Sequence, residues 1–159
     1  MAGKEILSRP LLRQVDMTEK LKKQYFIFLM PAVGLYICLG LARQFHMIRP
    51  GLFTPSPFLA TGVFILSAVT ALAGPVLCRA SFAHAVRGEK RISPARFLSF
   101  ERSILWISQV TPYFGFLAVL CEFPAFYAAG ILLMTLYSVY YYFPSAFRVN
   151  HDRRIFRVR

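Results

Sequence analysis

Residues 58–78 read FLATGVFILSAVTALAGPVLC, twenty-one positions without one Asp, Glu, Lys or Arg. At about 1.5 Å per residue a helix of this length covers about 32 Å, and a bilayer's hydrocarbon core is about 30 Å thick. Inside lipid the backbone N–H and C=O groups find no water, so such a stretch must satisfy them internally, as a helix. The polar–apolar alternation of a membrane β-strand is absent.

Three further runs share this character. They are Tyr25–Ala42, Ser103–Cys121 and Phe123–Phe143, of 18, 19 and 21 residues. The whole chain has 159 residues, of which 57% are hydrophobic and 16% charged, against about 25% charged in an ordinary soluble domain. A single core this small could not enclose so much apolar surface. The fold expected is therefore an all-α membrane protein, a bundle of four transmembrane helices. Residues 1–24 form a basic amphipathic segment, 25–143 the membrane domain with spans at 25–42, 58–78, 103–121 and 123–143, 79–102 a basic connecting loop, and 144–159 a basic tail. Gly40-Leu41-Ala42 has the small residues of a leader-peptide cleavage site, but 24 residues precede the first run, and the run is longer than a usual leader's apolar core. The first span is expected to stay.

The net charge of +12 would suit a nucleic-acid binder if it were spread over one face. It is not. Seventeen of the nineteen Lys and Arg residues fall in residues 1–24, the 79–102 loop and the tail. Arg43 and Arg49 alone fall on the other side of the spans. The excess of cations on one side predicts an integral membrane protein (of the inner or plasma membrane, if bacterial) with both termini and the central loop cytoplasmic. Tyr25, Phe26 and Tyr140–Phe143 stand where aromatic rings anchor at headgroups. Leu7, Leu11 and Val15 share a helical face suited to lying on a membrane surface. Asp16 and Glu19 have the spacing of a capping box, which predicts a helix starting near Met17. Ser93-Pro94 predicts another start before the third span. The outer loop 44–57, with Pro50, Gly51, Pro55 and Pro57, is expected to be irregular.

The two halves of the chain carry matching patterns. Pro31-x-x-Gly34-Leu35 parallels Pro112-x-x-Gly115-Phe116, and Phe58-x-Ala60-x-Gly62-Val63 parallels Phe126-x-Ala128-x-Gly130-Ile131. Pro75-x-x-x-Arg79 parallels Pro144-x-x-x-Arg148, and Glu19-Lys20 parallels Glu101-Arg102. A parallel duplication of a helical hairpin would produce this. It predicts kinks at Pro31 and Pro112. Small residues should mark the helix contacts, because lipid is as apolar as leucine and association depends on close approach. They are Gly34 and Cys38 in the first span; Ser67, Thr70, Ala71 and Gly74, ahead of Pro75, in the second; Ser108, Thr111 and Gly115 in the third; Ala128, Gly130, Thr135 and Ser138 in the fourth.

The chemistry of a catalyst is missing from the pattern. No Asp, Glu, Lys or Arg lies in any run, whereas proton-coupled carriers use a buried ionisable group. His46, His84 and His151 fall on connections, and Cys38, Cys78 and Cys121 lack metal-ligand spacing. No catalytic, cofactor-binding or metal-binding residues are assigned, and no cofactor. The only pairs available to an enzyme are His84 with Arg87 and His151 with Asp152. The reading that fits best is a non-catalytic accessory, assembly or scaffold subunit acting through helix packing and basic cytoplasmic segments. Its partners would be membrane lipids with anionic headgroups, together with another membrane protein or a second copy of the chain, and not nucleic acid. The residues expected to meet headgroups or a partner are Arg79, Arg87, Lys90, Arg91, Arg96, Arg102, Arg148, Arg153 and Arg154. A small oligomeric channel or facilitator for a neutral solute or anion is the alternative. A membrane-embedded lipid-modifying or redox enzyme is the third reading.

Overall fold

The computed structural model describes residues 3–47, 55–89 and 91–158, with side chains from Met17 onward. Residues 48–54 of the loop 44–57 lie outside the described residues, as does Lys90. Among the described residues every regular element is helical, and the one β-type pairing is a parallel bridge between Ile92 and Val158.

Helix α1 spans Gly3–Gln44 without interruption. The start expected near Met17 is therefore corrected: the segment ahead of the first span and the span itself are one helix. No Gly or Pro lies between residues 11 and 30 to break it, and the helix also continues through Pro31.

Helix α2, Pro57–Ala68, starts at Ser56, whose side chain accepts from the Leu59 N–H. It passes through a π-helical turn, Val69–Ala73, into α3, Gly74–Ala85. Pro75 explains the turn. Its ring collides with the carbonyl four residues back in a regular α-helix and it has no N–H to offer. Widening the preceding turn relieves the clash and lets the helix go on. The Gly74 N–H accordingly reaches back to the Val69 carbonyl.

Helix α4, Pro94–Gln109, is capped by Ser93, which accepts from the Arg96 N–H, with proline in the first turn as the sequence signal requires. It breaks at Val110 and resumes as α5, Thr111–Leu120, with Pro112 in its first turn. Proline at 112 orphans the Ser108 carbonyl, and the Ser138 hydroxyl of α6 (Ala125–Tyr141) donates to that oxygen at 2.5 Å. The tight connection between α5 and α6 places Glu122 at φ 50°. Arg43 donates to the Val119 carbonyl at 2.7 Å and pairs with Glu122 at 3.3 Å, closing that end of the bundle. Helix α7, Ala146–Ile155, turns away from α6 by 77°.

Three helical segments, Met17–Gln44, Pro57–Ala85 and Pro94–Leu120, are long and apolar enough to cross a membrane, and α6 with α7 makes a fourth only if the bent pair counts as one span. By itself α6 has 17 residues and is about 25 Å long. Pro124 and Pro144 trim it at its two ends, inside the run expected from 123 to 143.

The bundle is layered along its length. One core joins Met17, Leu21, Tyr25, Phe97, Phe100, Ile104, Leu105, Tyr142 and Val149 with the loop residues Val86, Ile92 and Val158. A second joins Ala60, Val63, Ala118, Phe123 and Ile131 at the opposite end. Between them lies a seam of hydroxyls. Thr70 and Thr111 share a hydrogen bond at 2.9 Å, Ser67 donates to the Phe64 carbonyl, and Thr135 donates to Ile131 at 2.9 Å. The tyrosines beside Pro31 and Pro112 tie α1 to α5: Tyr36 donates to the Pro112 carbonyl at 3.2 Å and Tyr113 to the Phe28 carbonyl at 3.0 Å. The first core contains residues of α1, of the 79–102 connection and of the tail, so the three basic segments gather at one end of the bundle.

Candidate functional site

At that basic end the two Pro-x-x-x-Arg segments meet. Pro75 is followed by a continuing helix, so Arg79 lies one turn further along the same axis. Pro144 is followed by Ser145, whose hydroxyl accepts from the Arg148 N–H at 3.2 Å and starts α7 in a new direction. The redirected helix carries Asp152 underneath the bundle. Arg79 Nη2 lies 2.5 Å from Asp152 Oδ2, and Arg148 Nε lies 3.9 Å from the same oxygen. Arg148 Nη2 also reaches Glu101 Oε2 of α4 at 3.3 Å, and its guanidinium stands 5.4 Å from the Tyr142 ring centre. Glu101 and Asp152 are each 2% exposed. Two arginines and two carboxylates thus form a closed cluster, neutral when both acids are ionised.

Glu101 sits below the charge-free run 103–121, on the first turns of a helical segment of 27 residues, which at about 40 Å is longer than the hydrocarbon is thick. Burial pushes its carboxyl up from the ordinary 4.5 to about 7; Arg148 and Arg79 pull it down, and the Asp152 carboxyl, by its charge and by a hydrogen bond, pushes it further up. Glu101 Oε1 has no donor among the described residues.

The remaining cations divide by environment. Arg96 pairs with Glu89 at 2.6 Å. Arg87, Arg91 and Arg154 are exposed, and Lys90 is outside the described residues. Arg153 is partly buried, its Nε and Nη1 lack partners among the described residues, and burial lowers its guanidinium below the ordinary range. Arg102 lines a cavity between α1 and α4. Of the expected contact residues, Gly74 faces Ile107, Gly115 faces the Tyr36 and Thr135 hydroxyls, and Gly130 faces the Phe64 ring, each too closely for a Cβ. Pro75 and Pro112 are buried, whereas Pro31 is exposed, Gly34 has open space around it, and Cys38 is exposed. His151 does not face Asp152; it stacks on Phe147. No group of three metal-ligating side chains occurs among the described residues.

Glu101 and Asp152 were missed as interior groups because each is next to a basic residue in the sequence. A signal for Glu101 exists: Phe97, Phe100, Ile104, Leu105 and Ser108 are buried on the same helical face, the i, i+3, i+4, i+7 positions around it. Asp152 has no comparable signal, since its burial depends on the direction of α7.

No family model matches the chain, and no curated protein or solved structure shows significant similarity to it.

Proposed function

We propose that this chain is an integral membrane protein crossing the bilayer four times, with both termini cytoplasmic, and that it works as a non-catalytic accessory, assembly or scaffold subunit. One observation carries the reading: the bundle turns large apolar side chains outward and keeps its hydroxyls and two carboxylates inside. Large apolar residues face outward along the helices, among them Ile27 at 57%, Met30 at 62%, Phe58 at 90% and Leu136 at 68% exposed. Those faces need lipid or another membrane helix. The buried charges are instead paired with each other at one end, and the interior hydroxyls are spent on carbonyls and on one another, which supports packing over a solute path. In this orientation the buried cluster is a cytoplasmic latch that holds the C-terminal helix under the spans. The reciprocal Tyr36–Pro112 and Tyr113–Phe28 bonds, and the meeting of Arg79 and Arg148 at one aspartate, also support descent of the two halves from a duplicated hairpin. The basic end faces anionic headgroups.

Extraction in several mild detergents, followed by size analysis and identification of co-purifying chains, tests the function. A defined complex, with a partner or with itself, is expected; a lone monomer under all conditions overturns the subunit reading. A reporter fused after Arg159 that is active only in the cytoplasm is expected from the topology, and activity on the outer side overturns it.

A further inference from the structure

We infer that the cavity between α1 and α4 is a binding site for the phosphate-bearing headgroup of an anionic phospholipid. The inference rests on the membrane reading above and names one place on the basic end where such a lipid is held.

The cavity has a volume of about 440 Å³ and is lined by Lys20, Lys23, Gln24 and Ile27 of α1 and by Ala95, Leu98, Ser99 and Arg102 of α4. The spacing on both helices is i, i+3, i+4, i+7, so each contributes one continuous stripe. Three cations line it and, among the described residues, no acid does. With its amide turned so that the oxygen faces the guanidinium, Gln24 accepts from Arg102 Nε and Nη2 at 3.2 and 3.1 Å. A neutral partner orients the arginine without cancelling its charge. Arg79 and Arg148, by contrast, are paired with carboxylates.

An apolar strip lies one turn deeper. Both helices run from the basic end toward the apolar layer, so Ile27 and Trp106 follow the cations along the same faces. Ile27 is 57% and Trp106 50% exposed, and Trp106 packs on Phe28 with ring centres 4.1 Å apart. A phosphate between Lys23 and Arg102, with the Ser99 hydroxyl as a neutral donor, would place its acyl chains against this apolar strip. A soluble phosphate ester could use the cations but not the strip, and the juxtaposition of both selects a lipid. Basic pockets between membrane helices commonly take acidic headgroups.

The test uses the full chain in a neutral maltoside detergent, following thermal unfolding while phosphatidylglycerol, phosphatidylcholine or glycerol phosphate is titrated in. Phosphatidylglycerol is expected to stabilise saturably, and the other two are not. Lys23→Gln with Arg102→Gln is expected to weaken the apparent affinity roughly 30-fold, at about five- to sixfold per cation near the headgroup plane. Lys22→Gln with Arg157→Gln removes the same charge outside the cavity and should leave the midpoint in place. Equal loss in both double variants, or no loss in the groove variant, overturns the site. Equal stabilisation by glycerol phosphate overturns the lipid in favour of a soluble ester. If Lys23→Gln/Arg102→Gln does not fold, Ser99→Leu, which fills the cavity and removes no charge, must weaken the lipid effect for the site to stand. A chain that stays dispersed without detergent would instead refute the membrane reading, a result separate from these.

Discussion

Pro75–Arg79 and Pro144–Arg148 have the same spacing and opposite outcomes. The first is absorbed: a π-turn at Val69–Ala73 takes up the proline and the helix continues into α3. The second ends the helix and bends the chain by 77°. The residue after the proline separates them. Val76 has no side chain that can cap, whereas Ser145 accepts from the Arg148 N–H and so begins a helix of its own, as serine at such a position does in general. The difference has a consequence at the base of the bundle. A straight helix there presents one arginine, and a bent one presents an arginine and, one turn on, the aspartate that serves both. A small change in local chemistry thus converts a repeated motif into two halves of a latch.

The comparison yields expectations that can be ranked, each read as thermal or denaturant unfolding of the purified chain in mild detergent. Asp152→Asn should be the most damaging, by about 3–5 kcal/mol, because it strands two buried or half-buried guanidinium groups at once. A loss below about 1 kcal/mol would mean that the latch is not holding α7. Next, Arg148→Met should cost about 3 kcal/mol and Arg79→Met about half as much. The Arg148 side chain is 15% exposed and serves both acids, while that of Arg79 is 34% exposed and serves one. The reverse order would show that the straight segment, not the bent one, dominates the cluster.

The pH dependence should be smaller, because the arginines offset part of the burial. The folded Glu101 carboxyl is raised from 4.5 to about 7, so the folded state holds a proton that the unfolded state releases. Its contribution is fully present below about pH 4.5 and is lost as pH rises through about 7. Stability should therefore fall over that interval, and Glu101→Gln should flatten the fall. A profile that rises there in the parent chain would contradict the raised Glu101 carboxyl. Smallest of all, Ser145→Ala should cost about 1 kcal/mol through the lost cap, and Val76→Ala, at the matching position, should show no capping loss.

Much of the architecture is legible without coordinates. The charge-free runs locate the apolar helices, because hydrocarbon-length segments free of ionisable groups have one physical solution. Ser93 and Pro94 announce the start of α4, since a hydroxyl acceptor and a missing N–H both suit a helix's first turn. The small residues at 67, 71, 108, 115, 135 and 138 fall at buried contacts. Gly34 and Cys38 show the weakness of that rule: small size permits close approach but does not say which helix comes near, and α1 is bound instead through Tyr25, Tyr36 and Tyr113. The uninterrupted course of α1 was hidden by a capping pattern that its context overrides.

Composition and spacing could settle which segments are helical and apolar and which are basic, because those properties belong to neighbours along the chain. They could not settle the pairing of Arg79 and Arg148 with Asp152, the burial of Glu101 beside them, or the alignment of Lys20, Lys23 and Arg102 along one groove. Each depends on the angle at which one helix leaves another, and that angle is set at Ser145, at the Val69–Ala73 turn and at the α1–α4 contact by packing between residues far apart in sequence. Charge is a local quantity, but whether a charge meets water or an opposite charge is decided by the fold.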